Sequence, residues 1–570
     1  GGSSAFKVVF ISAAATCALA VGYEYAAAYY SELSKTKPGL NYDKFPLNAV
    51  PSVVWAVCRA VAFVVIGVMI AWKATLASLA ASYTQLMKGD NFDLDKYFFD
   101  ATGKDPSTND KAKVAFLHRM NVGDAAIRDV AIPLAEELSP FVSGLRVTSN
   151  AQAAPAPAKE LGPFAPPSSG AIVVGTIRMG FGHHRIAYAA SSWALASGKA
   201  TYFHDLLNID SVEAQLIKDM DKLYSKGSRL ATEMGGVVER MWGNMSAKQG
   251  DENSLRIFYA MAEQIKPLLL SVPKDTPIIA SHCLVGLLAV ACGFKRVINL
   301  VIDNHAQYFI VVPGAINLVQ GPTNYHRLLR MGVPPSQLRL AGGWIPKDLV
   351  VNLEADCHAR IARAAARKPV RLLIPVGGAG AQRTFVCNFV KATAPLLKAG
   401  KLQLFLNAGD HAHMKSAFLE SLAAMGQDYQ TVDSLQGVKD FCAARRAGTE
   451  PAPVTLFAFN VYFPAVATTD LVCRVADVLC AKPSELAFYP VPKLNIRRVG
   501  DHEAFSAVRS SELGDGTLEA RELEDAMAYL SLFVTGPELL TQMNQSIMVN
   551  GQAGLYNGCK VAVECALAKK

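Results

Sequence analysis

The sequence predicts an α/β protein made of two parallel-sheet halves, preceded by an apolar helical segment. Short apolar runs rich in β-branched residues alternate with helix-like stretches from residue 171 onward. The alternation pauses at residues 350–368 and then starts a second cycle. Ahead of it, residues 47–72 carry a single charge, Arg59. Buried strands joined by helices are typical of a parallel sheet covered on both faces.

Composition narrows the class of protein. Of 570 residues, 51% are apolar and 18% charged, which suits a soluble body of several domains with a local membrane segment. The net charge of +8 is dispersed, so nucleic-acid binding is not indicated. This dispersed charge fits an ordinary solvated surface, and it equally fits an anionic membrane surface or a phosphate-bearing substrate as partner. The 11 cysteines form no CxxC pair, which favours buried thiols in a reducing compartment over a disulfide framework or zinc site.

Residues 8–30 and 47–72 are the candidate membrane segments. As a helix the second run is about 39 Å long, enough for a hydrocarbon core of about 30 Å. Trp55 and Trp72 suit the membrane interface, whereas Arg59 must snorkel or meet a partner. We expect one or two spans here. The alternative is a hydrophobic helical hairpin packed on protein.

Changes in composition divide the chain into four parts. They are residues 1–88, membrane-anchoring helices; 89–170, a helical region ending in a Pro/Ala-rich linker; 171–350, the first α/β half; and 369–570, the second α/β half with closing C-terminal helices. The linker should be extended because of its proline content.

Ten runs are predicted to be buried strands. They are 171–176, 201–205, 277–281, 296–302 and 316–320 in the first half, and 370–376, 402–410, 454–460, 477–481 and 492–496 in the second. Parallel sheets bind ligands at the carboxyl ends of their strands. The residues that follow each strand are therefore the candidate site.

The first strand leads into Met-Gly-Phe-Gly-His-His, with Gly180, Gly182 and His183 at the start of a helix. Glycines allow close approach of backbone to a phosphate or acceptor at a helix N-terminus. His183 has the chemistry of a general base on an acceptor hydroxyl. The alternative is a tight strand-to-helix turn with a capping histidine.

Asp303 and His305 follow the strand at 296–302, and His282 follows the strand at 277–281. Asp303 paired with His183 or His305 would supply acid/base chemistry, and His282 is a further candidate of the same kind. An N-capping aspartate among buried polar neighbours is the alternative interpretation.

The second half opens with Gly377, Gly378, Gly380 and Gln382 between a strand and a helix. Backbone N–H groups of such a loop, together with the helix dipole, bind phosphate without a metal. Asp410, His411 and His413 resemble metal ligands, but residues two apart on a helix do not face each other. No metal site is therefore predicted.

Ser484 and Glu485 follow the strand at 477–481, and His502 and Glu503 follow the last predicted strand. All four side chains can hydrogen-bond a ligand at the carboxyl edge of the second sheet. Ser484 and Glu485 also suit the cap of a helix.

The order of these signals through residues 171–517 resembles the glycosyltransferases of the GT-B fold, which have two facing Rossmann-like domains. Monogalactosyldiacylglycerol synthases and peptidoglycan N-acetylglucosaminyltransferases are the families it is most similar to. The resemblance implies that the loop at 377–382 cradles the donor phosphates, that Glu485 grips the ribose, and that His502 and Glu503 contact the donor sugar. The families carry a Gly-x-x-Thr before the glutamate, and this sequence lacks it. They also prefer Gln or Asn at the positions of His502 and Glu503.

The resemblance, together with the apolar segment, implies a membrane-anchored transferase that is inverting and metal-independent. It would move a sugar from a nucleotide-sugar to a lipid acceptor, and the nucleotide-sugar would be UDP-linked and bound as substrate. The alternative is a catalytically inactive accessory subunit of an organellar membrane complex, contacting other subunits through residues 1–90. We expect a mitochondrial or plastid membrane. The sequence starts Gly-Gly-Ser-Ser without Met, so either a targeting segment has been removed, as after import into an organelle, or upstream residues are not included.

Overall fold

A computed structural model describes most of the chain after residue 92. The described residues are 93–95, 98, 130–152, 162–164, 170–219, 252–376, 382–486, 489–498 and 503–568. They belong to one compact unit, Asp93–Lys570. The predicted membrane segments at 8–30 and 47–72 lie outside the described residues. Among the helices that the structure does describe, none combines the length and apolar character needed to cross a membrane.

The first sheet has nine strands in the order β3-β1-β2-β5-β4-β6-β7-β8-β9. Their bounds are β1 Leu134–Leu138, β2 Leu145–Asn150, β3 Gly162–Pro163, β4 Ala171–Thr176, β5 Ala200–Asp205, β6 Ile278–Ala280, β7 Val297–Leu300, β8 Ile316–Val319 and β9 Leu338–Leu340. From β2 to β9 all neighbours are parallel, and β1 runs antiparallel to β2 and β3. Every residue of β4 is buried, as expected for a central strand with helices on both faces.

The helical region predicted ahead of the linker is wrong for residues 134–150, where β1 and β2 form a hairpin. Glu136 of β1 forms an ion pair with Arg146 of β2. These two charges are thus a cross-strand pair, while Leu134 and Leu145 are buried. Part of the Pro-rich linker forms β3 at the sheet edge, where a proline is tolerated.

The second sheet has six strands, all parallel, in the order β12-β13-β11-β10-β14-β15. Their bounds are β10 Val370–Pro375, β11 Leu402–Gly409, β12 Gln430–Val432, β13 Val454–Ala458, β14 Val478–Ala481 and β15 Lys493–Asn495. The predicted class, α/β with two sheets of parallel strands, is confirmed, and this topology is consistent with two Rossmann-like domains. Besides β1, β2 and β3, the strands β9 and β12 were not predicted, because each is three residues long and carries polar side chains.

Helices cover both sheets. Their bounds are α1 Gly182–Ala196, α2 Glu252–Gln264, α3 Cys283–Ala291, α4 Pro322–Arg330, α5 Lys347–Val351, α6 Leu353–Ala365, α7 Arg383–Ala392, α8 Ala394–Lys398, α9 Ala412–Met425, α10 Leu435–Arg446, α11 Tyr462–Val472, α12 Pro483–Leu486, α13 Ala504–Leu513, α14 Leu523–Thr535, α15 Glu538–Gln552 and α16 Gly558–Leu567. Residues 212–219 are also helical.

The last helix crosses back to the first sheet. We assigned the C-terminal helices to the second half, but α16 packs on α1 and on β6, β7 and β8. Its buried face consists of small side chains, Cys559, Ala562 and Ala566, at helical spacing, which lets it lie close to the strands. The first sheet therefore obtains part of its cover from the end of the chain.

The start of α16 requires a glycine. A Cβ at Gly558 would lie 2.4 Å from the carbonyl oxygen of Gly342 and 2.6 Å from that of Gly343. Both neighbours are backbone atoms, which cannot rotate away. Gly558→Ala is expected to lower the free energy of unfolding by about 1–3 kcal/mol, measured by urea denaturation.

Gly551→Ala is the matched control for this substitution. Its Cβ would meet Leu353 side-chain carbons at 3.1 Å or more, and a leucine side chain can adjust. Alanine is also favoured over glycine within a helix by about 1 kcal/mol. Equal destabilisation by both variants would contradict the backbone contact as the cause.

Candidate functional site at the carboxyl ends of the strands

Three adjacent strands bring His183, His282 and Asp303 to one edge of the first sheet. The strands are β4, β6 and β7, which pair in parallel, so their carboxyl ends lie side by side. His183 is in the first turn of α1, His282 caps α3, and Asp303 lies in the loop after β7. Asp303 is near enough for its negative charge to act on His183.

His183 is half-buried and has a defined tautomer. Its Nδ1 lies 2.7 Å from the carbonyl oxygen of Ser281. A carbonyl only accepts, so Nδ1 carries the proton and Nε2 presents a lone pair. Burial lowers the pKa of His183, although the Ser281 bond and the Asp303 charge oppose that effect. At neutral pH His183 is thus an unprotonated imidazole, the form of a general base.

His282 has the opposite tautomer. The backbone N–H of Leu284 donates to Nδ1 of His282 over 3.1 Å, so the proton of the neutral ring is on Nε2. Burial, reinforced by the neighbouring His183, places the pKa of His282 well below its usual value. The centres of the two rings are 4.4 Å apart. The pair therefore offers one acceptor nitrogen and one donor N–H at the same edge.

His305 lies elsewhere, against the second half. Its ring stacks on Phe505 of α13 with 4.4 Å between centroids and 22° between planes. The guanidinium of Arg327 lies 4.3 Å from the centre of the same Phe505 ring. Of the three residues predicted to be catalytic, His183 and Asp303 lie at the same edge of the first sheet, whereas His305 packs against the second half.

The loop after β4 contacts the second half through Phe181. This side chain is 4% exposed and packs against Gly409, His411 and Tyr462. Gly180 has φ +76°, a conformation that suits glycine, and its carbonyl accepts a hydrogen bond of 3.4 Å from the Tyr462 hydroxyl. Carboxyl ends of the two sheets therefore meet at this point.

Arg178 strengthens the same contact. Its guanidinium lies 3.5 Å from the centre of the Tyr462 ring and 3.7 Å from a carboxylate oxygen of Asp410. Asp410, considered above as a metal ligand, thus pairs with an arginine. Within the described ranges, no cluster of three His, Cys, Asp or Glu side chains could hold a metal ion.

Part of the predicted donor site cannot be placed. Gly377, Gly378, Gly380 and His502 lie outside the described residues, as does the side chain of Glu485. Their roles remain predictions.

Gln382 caps α7 with φ +72°. Its side-chain amide donates to the carbonyl of Arg497, which follows β15. Gln382 thereby joins the start of α7 to the loop after the last strand.

Ser484 and Glu503 are brought together with Lys482, which the sequence analysis did not single out. Glu503 accepts hydrogen bonds from Lys482 over 2.5 Å and from the Ser484 hydroxyl over 2.9 Å. All three residues follow carboxyl ends of the second sheet, after β14 or β15.

A small cavity lies between α13 and the loops after β7 and β8. Asn304, Asn324, Phe505 and Arg509 are among its lining residues, and it has room for about one water molecule. Asn304 hydrogen-bonds Ser506 of α13, and Arg509 donates to the carbonyl of Gln320 over 2.9 Å. These bonds add to the contact between the halves that His305 and Phe505 make.

Buried neutral histidines predict a pH-dependent stability. Burial lowers the pKa of His204 from 6.5 to about 4. The unfolded chain takes up a proton below pH 6.5 that folded His204 resists, so stability is lost as pH falls from about 6.5 to about 4. The loss of stability from this group is on the order of 3 kcal/mol. His183 and His282 add to this effect in the same direction.

The measurement is urea unfolding between pH 7 and pH 4, comparing the wild-type chain with His204→Gln. The variant has no titrating group at this position, so its unfolding free energy should fall less across the interval. Parallel pH profiles of the two proteins would exclude His204 as a contributor.

Two family models match the chain. Residues 109–329 match a domain of unknown function, DUF6937, and residues 333–567 match a domain of unknown function, DUF6938. The boundary between them falls before β9, within the part of the chain that builds the first sheet. No curated protein matches the chain.

Solved structures similar to this chain include nucleotide-sugar enzymes. UDP-GlcNAc 2-epimerase from Neisseria meningitidis bound to UDP-GlcNAc has 12% identity and a TM-score of 0.38, covering 70% of this chain and 99% of its own. The S. aureus MnaA–UDP co-structure has 10% identity and a TM-score of 0.36, covering 69% and 94%. A trehalose 6-phosphate synthase from Burkholderia multivorans has 11% identity and a TM-score of 0.37, covering 70% and 95%.

Proposed function

We propose that this chain is a glycosyltransferase-like protein that binds a nucleotide-sugar between its two halves and transfers the sugar to an acceptor hydroxyl. One observation carries the proposal. His183 is a neutral imidazole whose Nε2 is an acceptor, at the carboxyl edge of the first sheet. That edge meets the carboxyl edge of the second sheet, where parallel sheets bind nucleotides.

The reaction is a single displacement at the anomeric carbon. Nε2 of His183 takes the acceptor hydroxyl proton while the acceptor oxygen forms a bond to the anomeric carbon. The bond from that carbon to the diphosphate oxygen breaks, and its electron pair leaves with the nucleoside diphosphate. Asp303 stabilises the imidazolium that forms, because its charge raises the pKa of His183. The N–H at Nε2 of His282 is a donor for the acceptor or donor sugar.

The first test is a thermal-denaturation titration of the full chain with UDP, UDP-galactose, UDP-glucose, UDP-N-acetylglucosamine and GDP. A ligand present at 100 times its Kd stabilises the folded state by about 2.7 kcal/mol. Glu485→Ala should abolish the shift if that glutamate grips the ribose, as the resemblance implies. No shift with any nucleotide at millimolar concentration would leave the proposal without a substrate.

A catalytically inactive accessory subunit is the second candidate, and Phe181 favours it. In a transferase the loop after the first strand should face the acceptor, whereas Phe181 is used to pack the halves together. Tyr489 is also buried, and its hydroxyl donates to Asp470 over 2.7 Å. Phe181→Ala separates the candidates: an opened site should bind UDP more tightly, whereas an accessory protein should show no nucleotide binding with either side chain.

The acceptor and the location are proposed from the sequence. A lipid acceptor fits the apolar run at residues 47–72, which would hold the first half near a bilayer. Carbonate extraction of an organelle preparation tests the location and the membrane anchor. Recovery in the carbonate-extracted supernatant would overturn the membrane anchor, and co-purification of a constant set of membrane proteins would favour the accessory subunit.

A further inference from the structure

Lys482, Ser484 and Glu503 form a hydrogen-bonded cluster beyond the second sheet. The Lys482 ammonium donates to Ser484 Oγ over 2.8 Å and to Glu503 Oε1 over 2.5 Å. The Ser484 hydroxyl donates to the same Oε1 over 2.9 Å. Glu503 is 5% exposed, so its carboxylate is largely shielded from bulk water.

The cluster lies at the edge where this sheet would bind a ligand. Lys482 follows the last residue of β14, and β14 pairs in parallel with β10, Leu479 opposite Leu373. Neighbouring strands are about 4.8 Å apart, so Lys482 is close to the end of β10 in the middle of the sheet. The carboxyl edge of a parallel sheet is the side on which it binds phosphates.

The donors in the cluster suit a phosphate as well as a carboxylate. An ammonium and a hydroxyl offer several hydrogen bonds, and both phosphate and carboxylate oxygens accept them. Glu503 comes from just ahead of α13, a different segment from the one that carries Lys482 and Ser484. The carboxylate and its two donors therefore belong to separate segments of the chain.

We propose that Lys482 and Ser484 form a binding site for the diphosphate of a nucleoside diphosphate, and that the Glu503 carboxylate occupies this site when the ligand is absent. The inference rests on the proposed function and names the regulation of its donor site. Glu503 then competes with the ligand. Displacement of the Glu503 carboxylate weakens ligand binding. Only a ligand that brings its own negative charge to Lys482 offsets this loss.

The test is isothermal titration calorimetry of the full-length chain with UDP and, separately, with uridine. Glu503→Gln keeps the size of the side chain but removes the charge, so UDP should bind about tenfold more tightly, as expected for one charge-assisted hydrogen bond. Lys482→Met should weaken UDP binding about tenfold or more, and the double variant should show no gain over Lys482→Met. The affinity for uridine should change in none of them.

Glu564→Gln is the control, since Glu564 pairs with Lys560 at 4.0 Å on the exposed face of α16 and lies in another part of the chain. It should leave UDP affinity at the wild-type value. Melting temperatures verify folding of each variant. If Glu503→Gln fails to fold, Glu503→Asp shortens the same side chain and should also tighten UDP binding.

The outcomes separate this inference from the proposed function. UDP binding by the wild-type chain that is unchanged in Glu503→Gln would overturn the inference and leave the function standing. Binding by Glu503→Gln alone would support the inference in its strongest form. Absence of UDP binding in every folded variant would overturn both.

Discussion

Replacing His183 by alanine is expected to lower the rate constant of sugar transfer by about 10²–10⁴-fold, the usual contribution of a positioned general base. The side chain is the neutral imidazole at the edge of the first sheet, with Nδ1 held by the Ser281 carbonyl. Binding of UDP should be unchanged, because the predicted nucleotide contacts come from the second half. The measurement is single-turnover transfer from the UDP-sugar that gives the largest thermal shift.

His305→Ala is the matched control. His305 follows the same edge of the first sheet as Asp303, yet its ring stacks on Phe505. Its loss should affect the packing of the halves more than the chemical step. A pH profile adds a second readout: wild-type activity should fall at acidic pH as His183 is protonated, at a pH below its usual pKa. If His305→Ala lost activity and His183→Ala kept it, the assignment of the base would be wrong.

Asp515→Ala is expected to destabilise the folded chain by about 3–5 kcal/mol, because it leaves a buried lysine without its counter-ion. The Asp515 carboxylate lies 2.6 Å from the ammonium of Lys493, and both side chains are almost fully buried. The Tyr556 hydroxyl donates to the same carboxylate over 2.9 Å. Burial lowers the pKa of Lys493, and Asp515 opposes that effect, so removal of Asp515 should lower the pKa of Lys493 further.

The free energy of unfolding by urea at pH 7 and pH 9 measures this effect. A buried lysine with a lowered pKa binds fewer protons than the same lysine in the unfolded chain as pH rises, so the loss of stability in Asp515→Ala should shrink from pH 7 to pH 9. The double variant Lys493→Met with Asp515→Leu removes both charges and should recover most of the loss. A cost below 1 kcal/mol for Asp515→Ala would show that solvent reaches Lys493.

The sequence predicted those parts of the fold that depend on local pattern. Continuous apolar runs such as Ala171–Thr176 predict buried parallel strands, and β4 is buried throughout. The Leu-Ala-Glu-Glu-Leu stretch of β1 has no such pattern, since its glutamates depend on a partner strand. The return of α16 to the first sheet depends on a contact with Gly342 and Gly343 that no local pattern reveals.

The sequence predicted which residues belong to the candidate site, but it did not predict which of them contact each other. His183 and Asp303 each follow a strand, which is a local signal. The pairing of His183 with His282 comes from the adjacency of β4 and β6, which are separated in sequence by β5 and α2. Lys482 also follows a predicted strand, but its contact with Glu503 depends on the path of the chain between β14 and α13, which no local pattern reveals.

The return of α16 to the first sheet has a consequence for synthesis on the ribosome. Domains generally fold as units, the N-terminal one first, while the rest is still being made. Here β6, β7 and β8 receive part of their cover from residues 558–567, which follow every strand of the second sheet in the chain. The nascent first half therefore keeps an apolar face uncovered until residues 558–567 have been made. A chaperone that binds apolar surface should remain on the chain until these residues emerge from the ribosome.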